Sequence, residues 1–502
     1  MPPSSNALHH LLLSEELCPE NFLSGWKRQR DLEEEEEELL QACRASSSSL
    51  AADHVATRKQ RKKDTSAKMF VIDRDSGEPR EGTPHDSLWW VNYVMYPHLM
   101  TPRMHHKFRR RFRMPFKTWQ ELVEKLNTEE IFAPWHHGAK NCFGTASSSL
   151  QLLSLGALRY LGQKCTFDCL EELTFISEKT HERFFAKFIE YGATNLYTEY
   201  VVAPQTAEEA QSHMYEMGLA GFNGALGSMD ATHHVTIENC RFGLRQIHLG
   251  HKLSKTARTY NIIVNHRRRI LSSTGGHPSR WNDKTIVQFD SFLEDIKTGK
   301  SLADTEFELF EHTSDGTIVK VTYRGPWILV DNGYLEWSIT IPPFKYCGDR
   351  KDMRWSQWME SMWKDVECTF GILKKRFTIL SKGVQAKDIG NADKVWKTCC
   401  ALHNMLLEVD GHDEMWKDKV SIDDQSSSCF AIGRLFDGDE DRVVTVEEQS
   451  DDTDSPEHSG TVRDVRSMTF DEMRSRLVEH FDIQFRRGKI VWPRRVTPPR
   501  SV

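Results

Sequence analysis

The sequence predicts an α/β protein in which a helical region precedes a sheet flanked by helices and both ends are disordered. Three observations lead to this fold class. Strand-like and helix-like segments alternate between about residues 216 and 410, which is typical of α/β folds. Apolar residues recur at helical spacing between residues 83 and 215. Acidic and serine-rich runs near the ends carry too little apolar surface to offset the entropy of ordering a chain.

The length supports more than one folded unit. At 502 residues, with 38% hydrophobic and 28% charged residues, the chain is long enough for two to four domains of ~100–200 residues. We expect a disordered N-terminal tail at 1–82, a helical region with a helix-turn-helix-like segment at 83–215, an α/β core at 216–410, an acidic disordered linker at 411–462, and a short amphipathic and basic C-terminal segment at 463–502. A mean hydropathy of −0.57 and the lack of an apolar run of ~20 residues predict no membrane-spanning segment.

Charge is distributed unevenly along the chain. The net charge is −7, but residues 1–40 hold ten acidic and three basic residues, and residues 411–460 hold fifteen and four. The remainder of the chain is therefore net positive, which permits a polyanionic partner. The basic cluster RKQRKK at residues 58–63 has the composition of a nuclear localisation signal, and the alternative is an ordinary solvated run of charge. On the first interpretation the protein is nuclear.

Two helices separated by a short turn are predicted in the helical region. They cover Phe167 to Leu173 and Glu178 to Ile189, and Ser177 is a suitable N-cap because its hydroxyl can accept a backbone N–H. Such a pair suggests a helix-turn-helix, in which the second helix contacts DNA. The candidate DNA-facing residues are Lys179, Thr180, Arg183 and Lys187. The alternative is a helical hairpin that packs on the core without touching DNA.

The order of elements in the α/β core follows from strand-like runs and apolar periodicity. We expect a strand in GALGSMDATHHVTI, a strand pair in TARTYNIIVNHRRRILSSTGG with its turn at Asn265-His266, a helix from Asp283 to Ile296, an insertion or irregular loop at 300–322, a short buried strand in GPWILVDNGY, a long helix from about Trp355 to Leu380 and a last helix from about Asp388 to Leu407. The strands therefore come from two stretches of the chain, on either side of the 300–322 segment.

Two aspartates stand at strand-like positions. Asp230 lies in GSMDATH, on or just after a strand, and Asp331 is the first polar residue after the apolar run WILV. A carboxylate at the end of a buried strand is costly unless it is hydrogen-bonded, paired or bound to a metal. Ligand sites in open α/β sheets gather at such strand ends. For Asp331 the alternative is a turn-capping aspartate, since the following Asn332-Gly333 favours a turn.

Glu367 lies at the border of the apolar face of the long helix. That face is a stripe of residues at spacings of three and four, namely Met359, Trp363, Val366, Phe370, Leu373 and Phe377. A border position is close to the sheet yet open to a cleft, as a metal-binding acid requires. The alternative is a surface glutamate that pairs with Lys364 or Lys374, and Glu360, seven residues earlier on the same face, is the matched comparison.

Three carboxylates around one cleft would hold two divalent cations. Mg²⁺ prefers oxygen ligands, and two ions ~4 Å apart stabilise both the attacking and the leaving oxygen of a phosphoryl transfer. Two basic runs supply candidate phosphate contacts, with solvated surface charge as the alternative. They are Arg267, Arg268 and Arg269 in the strand turn, and Lys374, Lys375 and Arg376 near the end of the long helix.

The motifs GSMDATH, GHPSRWND, WILVDNGY and VECTFGILKKRF, in this order, resemble those of Harbinger/PIF-type transposases of the DDE superfamily. The resemblance covers about residues 105–410. It implies an RNase H-like core, a mixed sheet flanked by helices, with two Mg²⁺ or Mn²⁺ ions as cofactors. It places the family's catalytic and metal-binding acids on Asp230, Asp331 and Glu367. It implies a structural or substrate-orienting role for Asp283 in GHPSRWND.

The same resemblance implies an activity. Such enzymes cut DNA at transposon ends and join the free 3′ hydroxyl to target DNA, often with a separate Myb-like protein that binds DNA and directs nuclear import. We therefore expect a metal-dependent DNA endonuclease and strand transferase that acts in the nucleus. One alternative is a domesticated DNA-binding or adaptor protein that keeps the fold without cutting. Another is a phosphohydrolase of small substrates, which the basic runs disfavour.

Overall fold

The computed structural model describes residues 69–73, 76–140, 144, 146–249, 255–386, 388–413 and 458–490. The chain divides into two units, Met1–Lys68 and Met69–Val502, and all the described residues belong to the second. Several predicted segments lie outside the described residues: the N-terminal tail up to residue 68 with its basic cluster, the acidic linker from 414 to 457, and residues 491–502. None of the helices in the described part of the chain combines the length and the apolar character that crossing a bilayer requires.

Helices account for most of the described chain between residues 84 and 219. Numbered in chain order, the α-helices are α1 (Pro102–Phe112), α2 (Phe116–Thr128), α3 (Leu150–Gln163), α4 (Phe167–Thr174), α5 (Glu178–Tyr191), α6 (Tyr197–Tyr200), α7 (Ala207–Leu219), α8 (Phe242–Ile247), α9 (Asp283–Ile286), α10 (Ser291–Thr298), α11 (Arg350–Arg376), α12 (Ile379–Lys382), α13 (Ile389–Val409) and α14 (Phe470–Arg486). Short 3₁₀ helices cover Pro84–Asp86, Pro97–Leu99, Glu130–Trp135, Val287–Phe289 and Val465–Ser467, and π-helical turns cover Trp90–Met95 and Gly192–Leu196.

Strands form three sheets in the described chain. They are β1 (Phe70–Ile72), β2 (Pro79–Glu81), β3 (Ala225–Glu238), β4 (Ala257–Val264), β5 (Ile270–Ser273), β6 (His277–Pro278), β7 (Glu306–His312), β8 (Ile318–Arg324), β9 (Trp327–Leu329), β10 (Thr340–Ile341), β11 (Val384–Gln385) and β12 (His458–Asp464). β1 and β2 pair antiparallel in a sheet of their own. The prediction of a disordered tail as far as residue 82 was therefore wrong for these two strands.

The largest sheet is mixed and has seven strands. Five form a continuous path in the order β10-β9-β3-β4-β5, while β11 pairs with β3 and β6 pairs with β4. β4 runs antiparallel to both β3 and β5, whereas β9 runs parallel to both β3 and β10. The predicted strand pair with its turn at Asn265-His266 is confirmed. β3 is the strand that pairs antiparallel on one side, with β4, and parallel on the other, with β9.

Each face of the large sheet carries its own apolar core. Along β4, Ile262 and Val264 pack with the helices that precede the sheet and with α13. Ile263, which lies between them, packs on the opposite face with α7 and the first half of α11. This alternation is the two-residue period of a strand that is buried on both sides. The helical region therefore shares one of these two cores, the one on the face of Ile262 and Val264, with the large sheet.

The segment at 300–322 contains most of a strand hairpin, so the predicted irregular loop was wrong, while the alternative of an insertion stays a prediction. β7 and β8 pair antiparallel, and β12 joins β8 in parallel to complete a three-stranded sheet. α14 covers this sheet, and the backbone N–H of Phe310 donates to His480 Nδ1 at 2.9 Å. Arg354 of α11 pairs with Asp482 of α14 at 3.3 Å. β12 begins at His458, so the prediction of a disordered linker as far as residue 462 was wrong for this strand, which completes the sheet that the hairpin begins.

The helix predicted from Asp283 to Ile296 is interrupted near its middle. Asp290 ends the first part and caps α10, where its Oδ1 accepts the N–H of Leu293 at 3.1 Å. Its Oδ2 accepts a hydrogen bond from Asn261 Nδ2 of β4 at 2.9 Å. The break therefore depends on a buried contact with the sheet, which helical periodicity does not report.

The long helix α11 extends further toward its N-terminus than predicted. It begins at Arg350 and not near Trp355, because Asp349 is its N-cap and accepts the N–H of Asp352 at 2.9 Å. It ends at Arg376, and the separate turn of α12 follows. The apolar stripe predicted for this helix is buried or partly buried along its whole length.

α4 and α5 match the two helices predicted around residues 167–189. Ser177 is the N-cap of α5, but the predicted capping bond from its hydroxyl was wrong. The hydroxyl instead lies 2.9 Å from the hydroxyl of Thr180. A buried hydrogen bond of 2.8 Å between Thr174 Oγ1 and His181 Nε2 joins the two helices. The helix pair is present, and its contact with DNA stays a prediction.

Candidate active site

Asp230 lies within β3, and Asp331 lies two residues beyond the end of the adjacent strand β9. The parallel strands β3 and β9 pair Ser228 with Leu329, and each aspartate follows its member of that pair by two residues. Adjacent strands lie ~4.8 Å apart, and residues two apart in a strand point to the same face. The register therefore places the two aspartates near one another, with Asp230 inside its strand and Asp331 just beyond the end of its own.

Glu367 approaches the sheet through the docking of α11. Trp363 Nε1 donates a hydrogen bond to the carbonyl oxygen of Met229 at 2.9 Å, next to Asp230 in β3. Glu367 follows Trp363 by four residues, about one helical turn, and its side chain is exposed. The glutamate thus occupies the border between the buried stripe and solvent, one turn from the point where the helix is bonded to the strand.

A tight turn brings Asp283 close to Asp331. The backbone N–H of Gly333 donates to Asp331 Oδ1 at 2.8 Å, so the turn-capping role that the sequence left open is also real. A Cβ built on Gly333 would lie 2.9 Å from Asp331 Oδ1 and 3.1 Å from Asp283 Oδ2. These two oxygens can be no farther apart than the sum of those distances. The sequence assigned Asp283 a structural or orienting role, and its carboxylate in fact lies beside a predicted metal-binding acid.

We call Asp230, Asp283, Asp331 and Glu367 the acid cluster, because their charges act on one another. Burial, the largest effect, raises the pKa of Asp230 to about 7, together with the charges of Asp331, Asp283 and Glu367 and against a backbone hydrogen bond from Ala231. Carboxylates that crowd one site cannot all ionise easily, since each anion disfavours the next. The crowding of these acids therefore makes Asp230 harder to ionise.

A buried polar chain supports the acid cluster from inside the fold. The hydroxyl of Tyr334 donates to Asn261 Oδ1 at 2.8 Å, and Asn261 Nδ2 donates to Asp290 Oδ2 at 2.9 Å. All three side chains are buried. Burial, followed by the charge of Asp230 and its neighbours, raises the pKa of Tyr334 far above its ordinary range. The tyrosine therefore keeps its proton and serves as a fixed hydrogen-bond donor under the acids.

Lys374 of α11 lies near the acid cluster. It follows Glu367 by seven residues, about two helical turns, so both side chains leave the same side of the helix. Burial lowers the pKa of Lys374, whereas the charge of Asp230 acts in the opposite direction. Of the three basic residues predicted here, Lys374 is thus close to the acids, while Lys375 and Arg376 line a different cleft.

The donor atoms of the acid cluster are of the kind that Mg²⁺ and Mn²⁺ prefer, namely carboxylate oxygens. Among the described residues, no three histidine, cysteine, aspartate or glutamate side chains are placed so that together they could hold one metal ion. Magnesium sites in phosphoryl-transfer enzymes commonly use one or two carboxylates, with water and substrate phosphates as the other ligands. The raised pKa of Asp230 among carboxylates fits divalent ions shared between pairs of these acids, and the arrangement of the described residues does not fit a closed protein cage.

In the arginine run between β4 and β5, Arg267 and Arg269 are largely buried, whereas the side chain of Arg268 is 33% exposed. Arg267 is only 6% exposed. The ion-pair partners are Glu216 for Arg267 at 3.3 Å, Asp365 for Arg268 at 3.4 Å, and Glu408 and Asp413 for Arg269 at 2.7 and 2.6 Å. These internal pairs neutralise the run. Their presence argues against the phosphate contacts predicted for Arg267 and Arg268.

Lys179, Arg183 and Lys187 recur every four residues along the exposed side of α5. Lys179 pairs with Glu182 at 3.1 Å and Lys187 pairs with Glu190 at 3.2 Å, each within one turn of the helix. Exposed pairs of this kind contribute little free energy, so phosphates can displace them at small cost. This side of α5 is open to solvent, and its binding to DNA stays a prediction.

A model of a known protein family matches the part of the chain that contains the acid cluster. Residues 198–414 match the model of a family described as plant transposon protein. No curated protein and no solved structure matches the chain. All four members of the acid cluster lie inside the matched residues. This part of the chain is therefore related to the proteins of a transposon family.

Proposed function

We propose that the protein is a metal-dependent DNA endonuclease and strand transferase of the Harbinger type, similar to Harbinger transposase-derived nucleases, with an RNase H-like core. The observation that carries the proposal is the acid cluster, in which three carboxylates act on Asp230 inside residues that match a transposon family. Crowded carboxylates with a raised pKa are characteristic of functional sites. The mixed sheet, antiparallel on one side of β3 and parallel on the other, supports the proposed core.

Asp230, Asp331 and Glu367 would hold two Mg²⁺ or Mn²⁺ ions. When bound, the ions would supply a water-derived nucleophile at neutral pH and charge stabilisation at the leaving 3′ oxygen. With a pKa of about 7, Asp230 is partly protonated at neutral pH. It must lose this proton to act as a ligand, because metal ligands are deprotonated. Asp283 acts as a positioning residue, since its carboxylate lies beside that of Asp331.

Lys374 reduces the electrostatic repulsion between the acid cluster and the phosphates of DNA. Four carboxylates repel a phosphate, and the repulsion is strong where the protein excludes water. Lys374 lies close enough to Asp230 to respond to its charge. Its ammonium group would therefore contact a phosphate next to the bond that is cut.

DNA binding without cutting, by a domesticated DNA-binding or adaptor protein, is the second candidate function. The exposed basic side of α5 favours it, because those residues serve binding whether or not the acids act. Both functions take DNA as the partner. We propose a Myb-like protein as an additional partner and the nucleus as the compartment in either case.

The test is cleavage of duplex DNA that carries terminal inverted repeats, using the purified full chain in Mn²⁺. We expect the wild type to cut and Asp331→Ala to cut about a thousandfold more slowly. That factor corresponds to a loss of ~4 kcal/mol of transition-state stabilisation, an ordinary contribution of a metal site. DNA affinity, measured by fluorescence anisotropy, should change little.

Glu360 provides a matched control for Glu367, because both are exposed glutamates on α11, seven residues apart. Glu367→Gln should lose cutting and Glu360→Gln should keep it. Cutting that persists in Asp331→Ala contradicts the proposal. A wild type that binds the DNA without cutting in Mg²⁺ or Mn²⁺ supports the adaptor function instead.

A further inference from the structure

A second charged feature lies at the C-terminal end of α11. It is a cleft of about 420 Å³ between α1, the last turns of α11 and α13. The residues that line it are His106, Arg109, Arg110, Arg113, Ile372, Lys375, Arg376 and Leu406. Six of these side chains are basic and none is acidic. We call this feature the basic cleft.

The positive charge of the basic cleft is only partly balanced. Within the described residues, its lining side chains make one salt bridge, in which Arg109 Nη2 donates to both oxygens of Asp410 at 2.7 and 2.6 Å. Arg110 and Lys375 are exposed. Arg113 Nε is buried and has no hydrogen-bond partner in the described part of the chain. More positive charge therefore faces the cleft than the surrounding protein neutralises.

Arg376 is held at the wall of the basic cleft. His403 Nε2 donates to a backbone carbonyl at 2.9 Å, which leaves His403 Nδ1 to accept from Arg376 Nη1 at 3.3 Å. Burial, together with the charges of Arg109 and Arg113, lowers the pKa of Arg376 to about 10, while Asp410 acts in the opposite direction. The guanidinium is thus crowded by groups of its own charge, and an anion in the cleft would relieve that repulsion.

One helix connects the basic cleft to the acid cluster. Glu367 precedes Lys375 by eight residues, which corresponds to ~12 Å along the helix axis. B-DNA rises ~3.4 Å per base pair, so this length equals about three to four base pairs. Lys374, between the two residues, responds to the charge of Asp230. The axial spacing is thus short compared with a duplex, although Lys375 and Arg376 leave the helix on different sides from Glu367.

We propose that the basic cleft binds the phosphodiester backbone of the DNA that is presented to the acid cluster. The guanidinium fork of arginine matches the geometry of a phosphate. Contacts with phosphates fix the position of a duplex and carry no sequence information, so the cleft positions DNA and does not select its sequence. The anionic character of the ligand follows from the cleft itself, whereas its identity as DNA rests on the proposed function.

The test is binding of fluorescein-labelled duplex DNA to the full chain, measured by anisotropy in EDTA at several salt concentrations. Arg110→Glu/Lys375→Glu reverses two exposed charges of the cleft. Lys117→Glu/Lys300→Glu, the control, reverses two lysines that are 89% and 73% exposed elsewhere. The cleft variant should bind about tenfold more weakly or worse. It should also reduce the slope of log affinity against log salt by about 2, one for each lost phosphate contact, while the control stays within about threefold of wild type.

The outcomes separate this proposal from the nuclease proposal. Equal affinity and equal salt slope for the cleft variant and its control overturn the role of the cleft, as does a wild type that does not bind DNA. Weakened binding in the cleft variant, with a wild type that binds but does not cut in Mn²⁺, supports the cleft and counts against the nuclease. Thermal unfolding checks that the variants fold. If the Arg110→Glu/Lys375→Glu variant does not fold, Arg110→Gln/Lys375→Gln, which removes the two charges without reversing them, takes its place.

Discussion

Asp365 and Asp230 are two aspartates that lie in opposite surroundings. Asp365, on α11, is 2.5 Å from His266 Nδ1 and 3.4 Å from Arg268 Nε. Asp230, on β3, lies among carboxylates whose charges, together with burial, raise its pKa to about 7. Glu367 of the acid cluster follows Asp365 by two residues on the same helix, so the two side chains face different sides of α11.

The contrast distinguishes an acid that stabilises the fold from one that is available for chemistry. Breaking a buried pair is costly because it leaves an uncompensated charge in the interior. A crowd of like charges instead stores repulsion, which proteins retain where a site must bind ions or react. The residue type does not separate the two cases. The charge of the neighbours does.

The largest expected effect comes from removing Asp365. Asp365→Ala takes the carboxylate away from His266 and Arg268 and should lower the free energy of unfolding by about 3–5 kcal/mol. Urea denaturation at pH 7 measures this change. Glu360→Ala, at an exposed position of the same helix, should shift it by less than ~0.5 kcal/mol. If Asp365→Ala lowered the free energy of unfolding by less than ~1 kcal/mol, Asp365 would not stabilise the fold, and its contrast with Asp230 would fail.

The next effect has the opposite sign. Asp230 holds its proton more tightly in the folded than in the unfolded chain, so this carboxyl group costs stability progressively as the pH rises from 3.8 to about 7. Asp230→Asn abolishes the titration. In EDTA at pH 8 the variant should be about 1–4 kcal/mol more stable than wild type, since one pKa unit corresponds to ~1.4 kcal/mol. Near pH 4 the two should be similar, and a difference that does not vary with pH would contradict the assignment.

The smallest effect on stability is expected for Glu367→Gln, because the side chain is exposed. Without metal, its free energy of unfolding should stay within ~0.5 kcal/mol of wild type. A ligand present at a hundred times its Kd stabilises a protein by ~2.7 kcal/mol. Thermal unfolding with and without Mn²⁺ should show a smaller increment for Glu367→Gln than for wild type or Glu360→Gln. Equal increments would exclude Glu367 from the acids that hold the cation.

Local sequence patterns were enough to locate the elements that carry three of the acids. The apolar run before Asp331 and the stripe beside Glu367 follow from strand and helix periodicity, and both elements are where the sequence predicts them. Asp283 could not be grouped with them in this way. Its approach to Asp331 depends on the turn at Gly333 and on how two distant segments fold together.

Pairings over long stretches of chain were beyond the reach of local patterns. Asp365 meets His266 across 99 residues, and contacts of that kind decide that Arg267 and Arg269 are largely buried. The basic run of α1 is visible in the sequence, but its position opposite the end of α11 is not. The hairpin at 306–324 was different, because its residues alternate between buried and more exposed positions, as a strand requires. That signal could have been used.

β12 can join β8 only late during synthesis of the protein. Arg463 Nη1 and the Tyr323 hydroxyl, 2.9 Å apart in the fold, belong to residues 140 positions apart in the chain. A ribosome adds ~5–20 residues per second, so roughly 7–28 s pass between the appearance of the two. Throughout that interval one side of β8 is an open strand edge, which readily recruits other chains. The yield of correctly folded protein should therefore depend on translation speed and on chaperones that cover this edge.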